Sequence, residues 1–224
     1  TFIDRLTITN GTGINGGGGT GNRIEENDIA RVMLVLNDGA AIYTIFARDL
    51  IVRGNVAPEI GDESGGRHAY YLDEKSKNCT VVGNLAVNVP SPTHNHWARN
   101  NRIEHNVFVY EGNMSLHFTR STGYMLSKNI LYATGNIEFH NIDAIDGFRN
   151  NIFYSGSGDV WAIQYHPDSY QRVAIEPLPD TGDTLRADPL LRDIAGGDFR
   201  FESGSPAEAM GIEALDWSQA GRTD

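Results

Sequence analysis

The sequence predicts an all-β fold, a right-handed parallel β-helix, on three observations. An asparagine closes one short apolar or β-branched run after another at nearly fixed spacing, the residues before it alternate in character, and Gly and Asn mark the corners. The runs read NRIEEN to Asn27, LIVRGN to Asn55, CTVVGN to Asn84, NRIEHN to Asn106, YMLSKN to Asn129 and DGFRNN to Asn151. Their intervals are 28, 29, 22, 23 and 22 residues, and a further copy, LTITN, ends at Asn10. A repeat of roughly 22 residues made of strand-like pieces suits one rung of three short strands. Asparagine at a fixed corner has a mechanism: it tolerates the left-handed backbone of a sharp bend, and stacked Asn side chains hydrogen-bond from rung to rung.

The strand leading into each Asn sets Leu50 and Val52 against Ile51 and Arg53, and Thr80 and Val82 against Cys79 and Val81. One set is expected in the core and the other outside. A leucine-rich repeat has a similar period but requires leucines at fixed places, which are absent. A sandwich or barrel would not hold one corner residue in register.

Residues 1–165 are expected to form the rungs, and residues 166–224 a connector and C-terminal cap packed on the same solenoid. After Asn151 the rhythm lapses through Pro167, Pro177 and Pro179 into DPLLRDIAGGDFRFESGSPAEAMG, Asp188 to Gly211. There a strand is expected over Phe199–Phe201 and a short helical turn from Ser205-Pro206. At the other end the chain opens on Thr1-Phe2-Ile3 with repeat-like material and no amphipathic cover for a solenoid edge, so the expectation is that earlier residues of a longer parent cover it.

The chain has 224 residues, enough for one elongated domain with a continuous core, and a formal charge of −11. That charge argues against nucleic acid or anionic lipid as the main partner, since it lacks the phosphate-neutralising surface such binding needs, and it is compatible with neutral glycans or calcium. The lone Cys79 lies inside an expected strand and reads as a small buried hydrophobe. There is no apolar run long enough for a membrane span, no signal peptide and no initiating Met, as expected of a mature form or a fragment.

The first strand of each rung, between successive Asn corners, departs from the bland pattern. Aligned on the following Asn, these strands are AIYTI (Ala41 to Ile45), YYLDE (Tyr70 to Glu74), HNHW (His94 to Trp97), LHFTR (Leu116 to Arg120) and EFHN (Glu138 to Asn141). With Ile42, Leu72 and Asn95 inward, Tyr43, Tyr71, Asp73, His94 and His96 share the outer face. Rungs stack about 4.8 Å apart, so Asp73 and His96, or Tyr71 and His94, fall within hydrogen-bond reach. Any one exposed His or Tyr on a sheet is ordinary surface; the grouping, with Asp38 in the loop before the strand, is what suggests a groove for a sugar chain. His117, Arg120 and His140 are weaker members, because irregular spacing after Gly112 leaves their facing open. The two wide intervals carry insertions near Val32 to Gly39 and Pro58 to Arg67, and insertions in solenoids fall on the binding side. Glu59, Asp62 and Glu63 in the second invite calcium, although a plain solvated loop is the simpler reading.

The phrases NDGAAIYT (Asn37 to Thr44), AYYLDEKSKNCTVVGNLAVNV (Ala69 to Val89), HNHWARNNRIEHNVF (His94 to Phe108) and the ending DPLLRD…GDFRFESGSPA resemble bacterial right-handed β-helix proteins. The closest resemblance is to the pectate-lyase-like glycoside hydrolases of family 141, over most of residues 21–210. Members act on plant cell-wall glycans such as fucosylated pectin and xylan and are much longer, so the resemblance implies that this chain matches their C-terminal half. It also implies a secreted or periplasmic bacterial protein and a catalytic pair of aspartates at Asp38 and Asp73. His94-Asn95-His96-Trp97 stands where relatives often have Gln and Tyr.

The expected function is a glycoside hydrolase acting on a polysaccharide, with Asp73 as general acid and Asp38 as base or nucleophile, or the reverse. His94 and His96 are expected to orient the pair or hold sugar hydroxyls, Tyr43, Tyr71 and Trp97 to offer stacking faces, and Glu74, His117 and Arg120 to line the groove. No cofactor is called for beyond possible calcium. Two alternatives stay open: a polysaccharide lyase, for which Arg120, Arg67 and Lys75 are the nearby bases, and a non-catalytic glycan-binding or surface solenoid.

Overall fold

The computed structural model describes residues 2–61, 67–166, 169, 171–180 and 182–222. They form a parallel β-helix of three sheets. The first holds strands Phe2–Asp4, Arg23–Glu25, Ile51–Arg53, Thr80–Val82, Arg102–Glu104, Tyr124–Ser127 and Ile145–Arg149. The second holds Thr7–Thr9, Asp28–Ala30, Val56–Pro58, Leu85–Val87, Val107–Tyr110, Ile130–Ala133, Asn151–Ser155 and Thr184–Leu185. The third holds Ile14–Gly17, Gly39–Ile45, Arg67–Leu72, Thr93–Asn95, Met114–His117, Ile137–His140 and Val160–Tyr165, and ends on Arg172–Pro177, which runs antiparallel to its neighbour. The parallel rhythm therefore runs past Asn151 through two more strands, Asn151–Ser155 and Val160–Tyr165, before the antiparallel strand. Within each rung the polar strand of the third sheet comes second after the Asn, not first.

The asparagines stand at the corner between the first and second sheets, and Asn27, Asn55, Asn84, Asn106, Asn129 and Asn151 are all buried. Each Nδ2 donates to the Oδ1 of the next, at 2.8, 2.9, 3.0, 2.9 and 3.0 Å along the series. Each Oδ1 also accepts the backbone N–H of the Asn below it, for instance Asn84 N to Asn106 Oδ1 at 2.9 Å. The second amide hydrogen reaches a backbone carbonyl, as from Asn106 to Val81. A buried amide in this setting has its hydrogen-bonding capacity filled, which is why the position accepts so little else.

The expected left-handed turn is present but sits one residue earlier. Glu26, Gly54, Gly83, His105, Lys128 and Asn150 have φ between 51° and 67°, whereas the ladder asparagines do not appear among the positive-φ residues. Non-glycine residues pay about 1–2 kcal/mol for that conformation, and the buried Asn that follows holds them in it. Asn10 is also out of register with the ladder. It has φ 57° and follows a strand of the second sheet, like Arg31, Glu59 and Asn88. The ladder position of the first rung is Leu6, whose N–H donates to Asn27 Oδ1 at 3.0 Å.

Inside, one continuous core runs from Ile14 to Leu178, including Leu50, Val52, Cys79, Val81, Ile103, Phe108 and Phe139. Cys79 is fully buried, and burial pushes its thiol up to about 11. A second apolar cluster lies outside the second sheet, where Leu85, Val107, Val109, Ile130 and Ile152 pack against Leu191, Phe199, Ala207, Ile212 and Trp217. The C-terminal residues reach this place as a strap down the corner of the solenoid. Asn150 Nδ2 donates to the Met210 carbonyl, His105 Nε2 lies 2.8 Å from the Glu213 carbonyl, Trp217 Nε1 donates to the Gly83 carbonyl, and Gly221 N donates to the Glu26 carbonyl. Phe199 lies in strand Asp198–Phe201, and Ser205-Pro206 opens a turn.

Candidate active site on the third sheet

On the outer face of the third sheet Tyr43, Tyr71, His94, His117 and His140 occupy equivalent positions on five successive rungs. Their rings form a column, with centroid separations of 5.0, 4.5, 5.4 and 4.3 Å in that order. The alternation behind this is the expected one, since Ile42, Leu72, Asn95, Leu116 and Phe139 are buried on the opposite side. His117 and His140 thus join the column, resolving the facing that the sequence left open.

At one end of the column Asp73 is held by two partners. The Tyr43 hydroxyl donates to Oδ2 at 2.6 Å, and His96 Nδ1 lies 2.9 Å from Oδ1. Burial and the Asp73 carboxylate push the Tyr43 phenol well above its ordinary value, so it stays a donor. Of the two, His96 is the more exposed, at 22% against 12% of the side chain. Asp38 is exposed, in the left-handed conformation just before Gly39–Ile45. Its charge, with that of Asp73, contributes to the rise of both the Tyr43 and Tyr71 phenols, behind burial as the larger cause, so both carboxylates act on the tyrosine pair. Glu74 is half-buried next to Asp73 and adds to the same effect on Tyr43.

Tyr71 is only 4% exposed and has the edge of Tyr43 against it, so it is a floor and offers no face to a sugar. Trp97 is open: it sits at the corner after the strand, half exposed, with the Arg120 guanidinium 5.5 Å above its ring.

His68 was not foreseen. Ala69 and Tyr70 both enter the core, which breaks the alternation and returns His68 to the outer side, where it stacks on His94 at 4.4 Å and pairs with Ser91 Oγ at 2.7 Å. Burial brings its imidazole down to about 3, and burial likewise lowers His94 and His117, with neighbouring imidazoles adding to each. The three rings are neutral near pH 7. His94 Nδ1 is buried without a hydrogen-bond partner, a costly arrangement that a ligand hydroxyl would relieve.

A cavity of about 520 Å³ is lined by Asp38, Arg67, His68, His94, His117 and Glu138. A larger one of about 880 Å³ adjoins it at His117 and is lined by Trp97, Arg120, His140, Gln164 and Tyr165, among others. Together they run along the column as a groove of a size suited to a ligand. Asp62, Glu63, Ser64, Gly65 and Gly66 of the second insertion lie outside the described residues, and the calcium reading falls on them. Among the described residues no group of three or more His, Cys, Asp or Glu is arranged to hold a metal ion.

No protein-family model, curated protein or solved structure matches this chain significantly. The parallel β-helix stands on its own geometry, and the likeness to family 141 rests on the motif phrases alone.

Proposed function

We propose that this chain is a carbohydrate-active β-helix protein, a secreted or periplasmic glycoside hydrolase that acts on a plant cell-wall or similar polysaccharide along the third sheet. The observation that carries this reading is Asp73 held between Tyr43 and His96 on the third sheet, with the Asp38 charge acting on the same tyrosine pair. Glycoside hydrolysis requires a proton for the leaving oxygen and a carboxylate to attack the sugar or activate water. In this reading Asp73, bonded to His96, serves as the proton donor, and the exposed Asp38 is the carboxylate. Tyr43 fixes the Asp73 carboxyl, and Trp97 offers an open face to a sugar ring. The motif phrases shared with family 141 lend the same direction.

Release of reducing ends from a panel of plant polysaccharides tests the proposal. Wild type is expected to cleave at least one, and both Asp38→Asn and Asp73→Asn to lose about 10²–10⁴-fold in rate. Glycan binding without cleavage by wild type would instead make the chain a binding solenoid.

A further inference from the structure

The corner where the third sheet gives way to the first carries a repeat of its own. Its segments read Phe46-Ala47-Arg48-Asp49, Lys75-Ser76-Lys77-Asn78, Trp97-Ala98-Arg99-Asn100 and Arg120-Ser121-Thr122-Gly123. The small second residue is buried in all four, so the residues on either side of it turn outward. Their backbones stack in register: Arg48 pairs with Lys77, Lys77 with Arg99, and Arg99 with Thr122, each as a parallel bridge. Successive rungs stand about 4.8 Å apart, so three cations follow one another in single file along the solenoid axis.

The neighbouring column, two residues earlier, is Phe46, Lys75, Trp97 and Arg120. All four have φ between 50° and 61°, a left-handed position that glycine or asparagine fills with less strain, yet each rung places an aromatic ring or a cation there. Lys75 Nζ lies 5.3 Å from the centre of the Phe46 ring, and the Arg120 guanidinium lies over Trp97 in the same way. Five of the chain's 18 Lys and Arg thus gather in four short segments against one acid, Asp49, whose carboxylate already accepts from Asn78 Nδ2 at 3.3 Å. Glu74, just before the second segment, adds its charge on the Tyr43 side. The result is a concentrated positive strip on a chain of net charge −11. Among the described residues Arg48, Lys77 and Arg99 have no ion pair to offset their mutual repulsion, and a matching row of anions would supply one.

We propose that this corner is a second binding surface, a track for an acidic polysaccharide whose charged groups follow one another along the solenoid axis. Arg48, Lys77 and Arg99 meet the anionic groups, and Phe46 and Trp97 meet sugar rings. Trp97 belongs to both surfaces, because it also lines the larger cavity of the groove, so one chain lying in the groove crosses that lip onto the track. The single file favours a polysaccharide over nucleic acid. A strip three rungs long suits a strand of spaced charges, whereas the phosphates of a nucleic acid reaching beyond it would face an acidic surface. The choice of occupant rests on the glycan reading of the protein, but the track does not rest on the aspartate pair.

The test is titration calorimetry of the full chain with polygalacturonate, dextran sulfate, neutral dextran and a single-stranded DNA oligonucleotide, with reducing ends measured alongside. Wild type is expected to bind at least one acidic polysaccharide and not neutral dextran, and to lose affinity as salt rises from about 50 to about 500 mM. Polygalacturonate against dextran sulfate separates a carboxylate from a sulfate ester as the group recognised. The triple variant Arg48→Gln, Lys77→Gln, Arg99→Gln is expected to bind about 10-fold more weakly or worse. Its melting temperature should stay level or rise, since stacked like charges are removed, and Arg48→Lys with Arg99→Lys should keep the affinity. No binding to either acidic polysaccharide, equal binding to neutral dextran, tighter binding to the oligonucleotide, or undiminished affinity in the triple variant would overturn the track. Cleavage of a polysaccharide without such binding would overturn the track and leave the hydrolase reading standing; salt-sensitive binding without cleavage would support the track and count against the hydrolase.

Discussion

His96 Nδ1 lies 2.9 Å from Asp73 Oδ1 although the two residues are 23 positions apart in the chain. That spacing is one rung, and the same 22-to-23-residue step that stacks asparagines in the core stacks proton-handling groups on the surface. Structure and site are two readings of one period.

The contact on the other oxygen of Asp73 is a target in itself. Tyr43→Phe deletes the hydroxyl that donates to Oδ2 and leaves the ring against Tyr71. The loss of one hydrogen bond to a charged group is worth about 1.5–3 kcal/mol where it is fully desolvated and less here, where both partners are partly exposed. We expect the rate of reducing-end release to fall about 10-fold and the melting temperature to move by only a few degrees. An unchanged rate would mean that Asp73 does not depend on Tyr43 for its position.

The ladder predicts a large and local stability effect. Asn106→Ala removes the acceptor of Asn84 N–H and Nδ2, and the donor to Val81 O and Asn129 Oδ1. Several buried polar groups lose partners at once, so a loss of roughly 2–4 kcal/mol is expected in urea unfolding. Asn10→Ala, at an exposed corner off the ladder, should cost under about 1 kcal/mol, the difference arising from its left-handed backbone.

The existence of the solenoid was legible because asparagine recurs where nothing else satisfies the buried groups. Finer detail was less so. The left-handed residue is Glu26, Gly54, Gly83, His105, Lys128 or Asn150 in turn, with no common side chain to announce it. LTITN copied the ladder phrase at a different corner because both corners follow a strand with a left-handed residue. Among site residues, Tyr43, Asp73, His94 and His96 followed from alternation alone. His68 did not, since consecutive buried Ala69 and Tyr70 shift the phase. His117 and His140 each stand 23 residues after the preceding column histidine, a signal present in the sequence but obscured by the glycine-marked turn before them. Tyr165 and Glu138 both bond to His140 and have no motif of their own.

The neutral histidines make stability depend on pH. His68, His94 and His117 are lowered in the folded protein from an ordinary value of 6.5, His68 to about 3. Below about 6.5 the unfolded chain binds protons that the folded chain refuses, so stability falls as pH drops from 6.5 toward 3. Each ring contributes at most about 1.4 kcal/mol per pH unit. We expect thermal melts between pH 7 and 4 to show this decline, and His94→Gln to flatten it. A melting temperature that rises on acidification would contradict the neutral column.

The strap should hold the second sheet's outer cluster closed. Trp217 bonds to the Gly83 carbonyl and packs edge-on to Phe199 at 6.3 Å. Trp217→Ala is expected to destabilise by roughly 2–3 kcal/mol, from lost apolar burial and one hydrogen bond. Hydrogen exchange should show the loosening in the strap and in Leu85–Val87 first.

The most direct test of the central claim is the initial rate of reducing-end release by Asp73→Asn, on a polysaccharide that wild type cleaves, with folding checked by circular dichroism. Asparagine keeps the shape and removes the charge. The account predicts a folded protein with the rate reduced at least 100-fold; a folded protein that cleaves at the wild-type rate would contradict it.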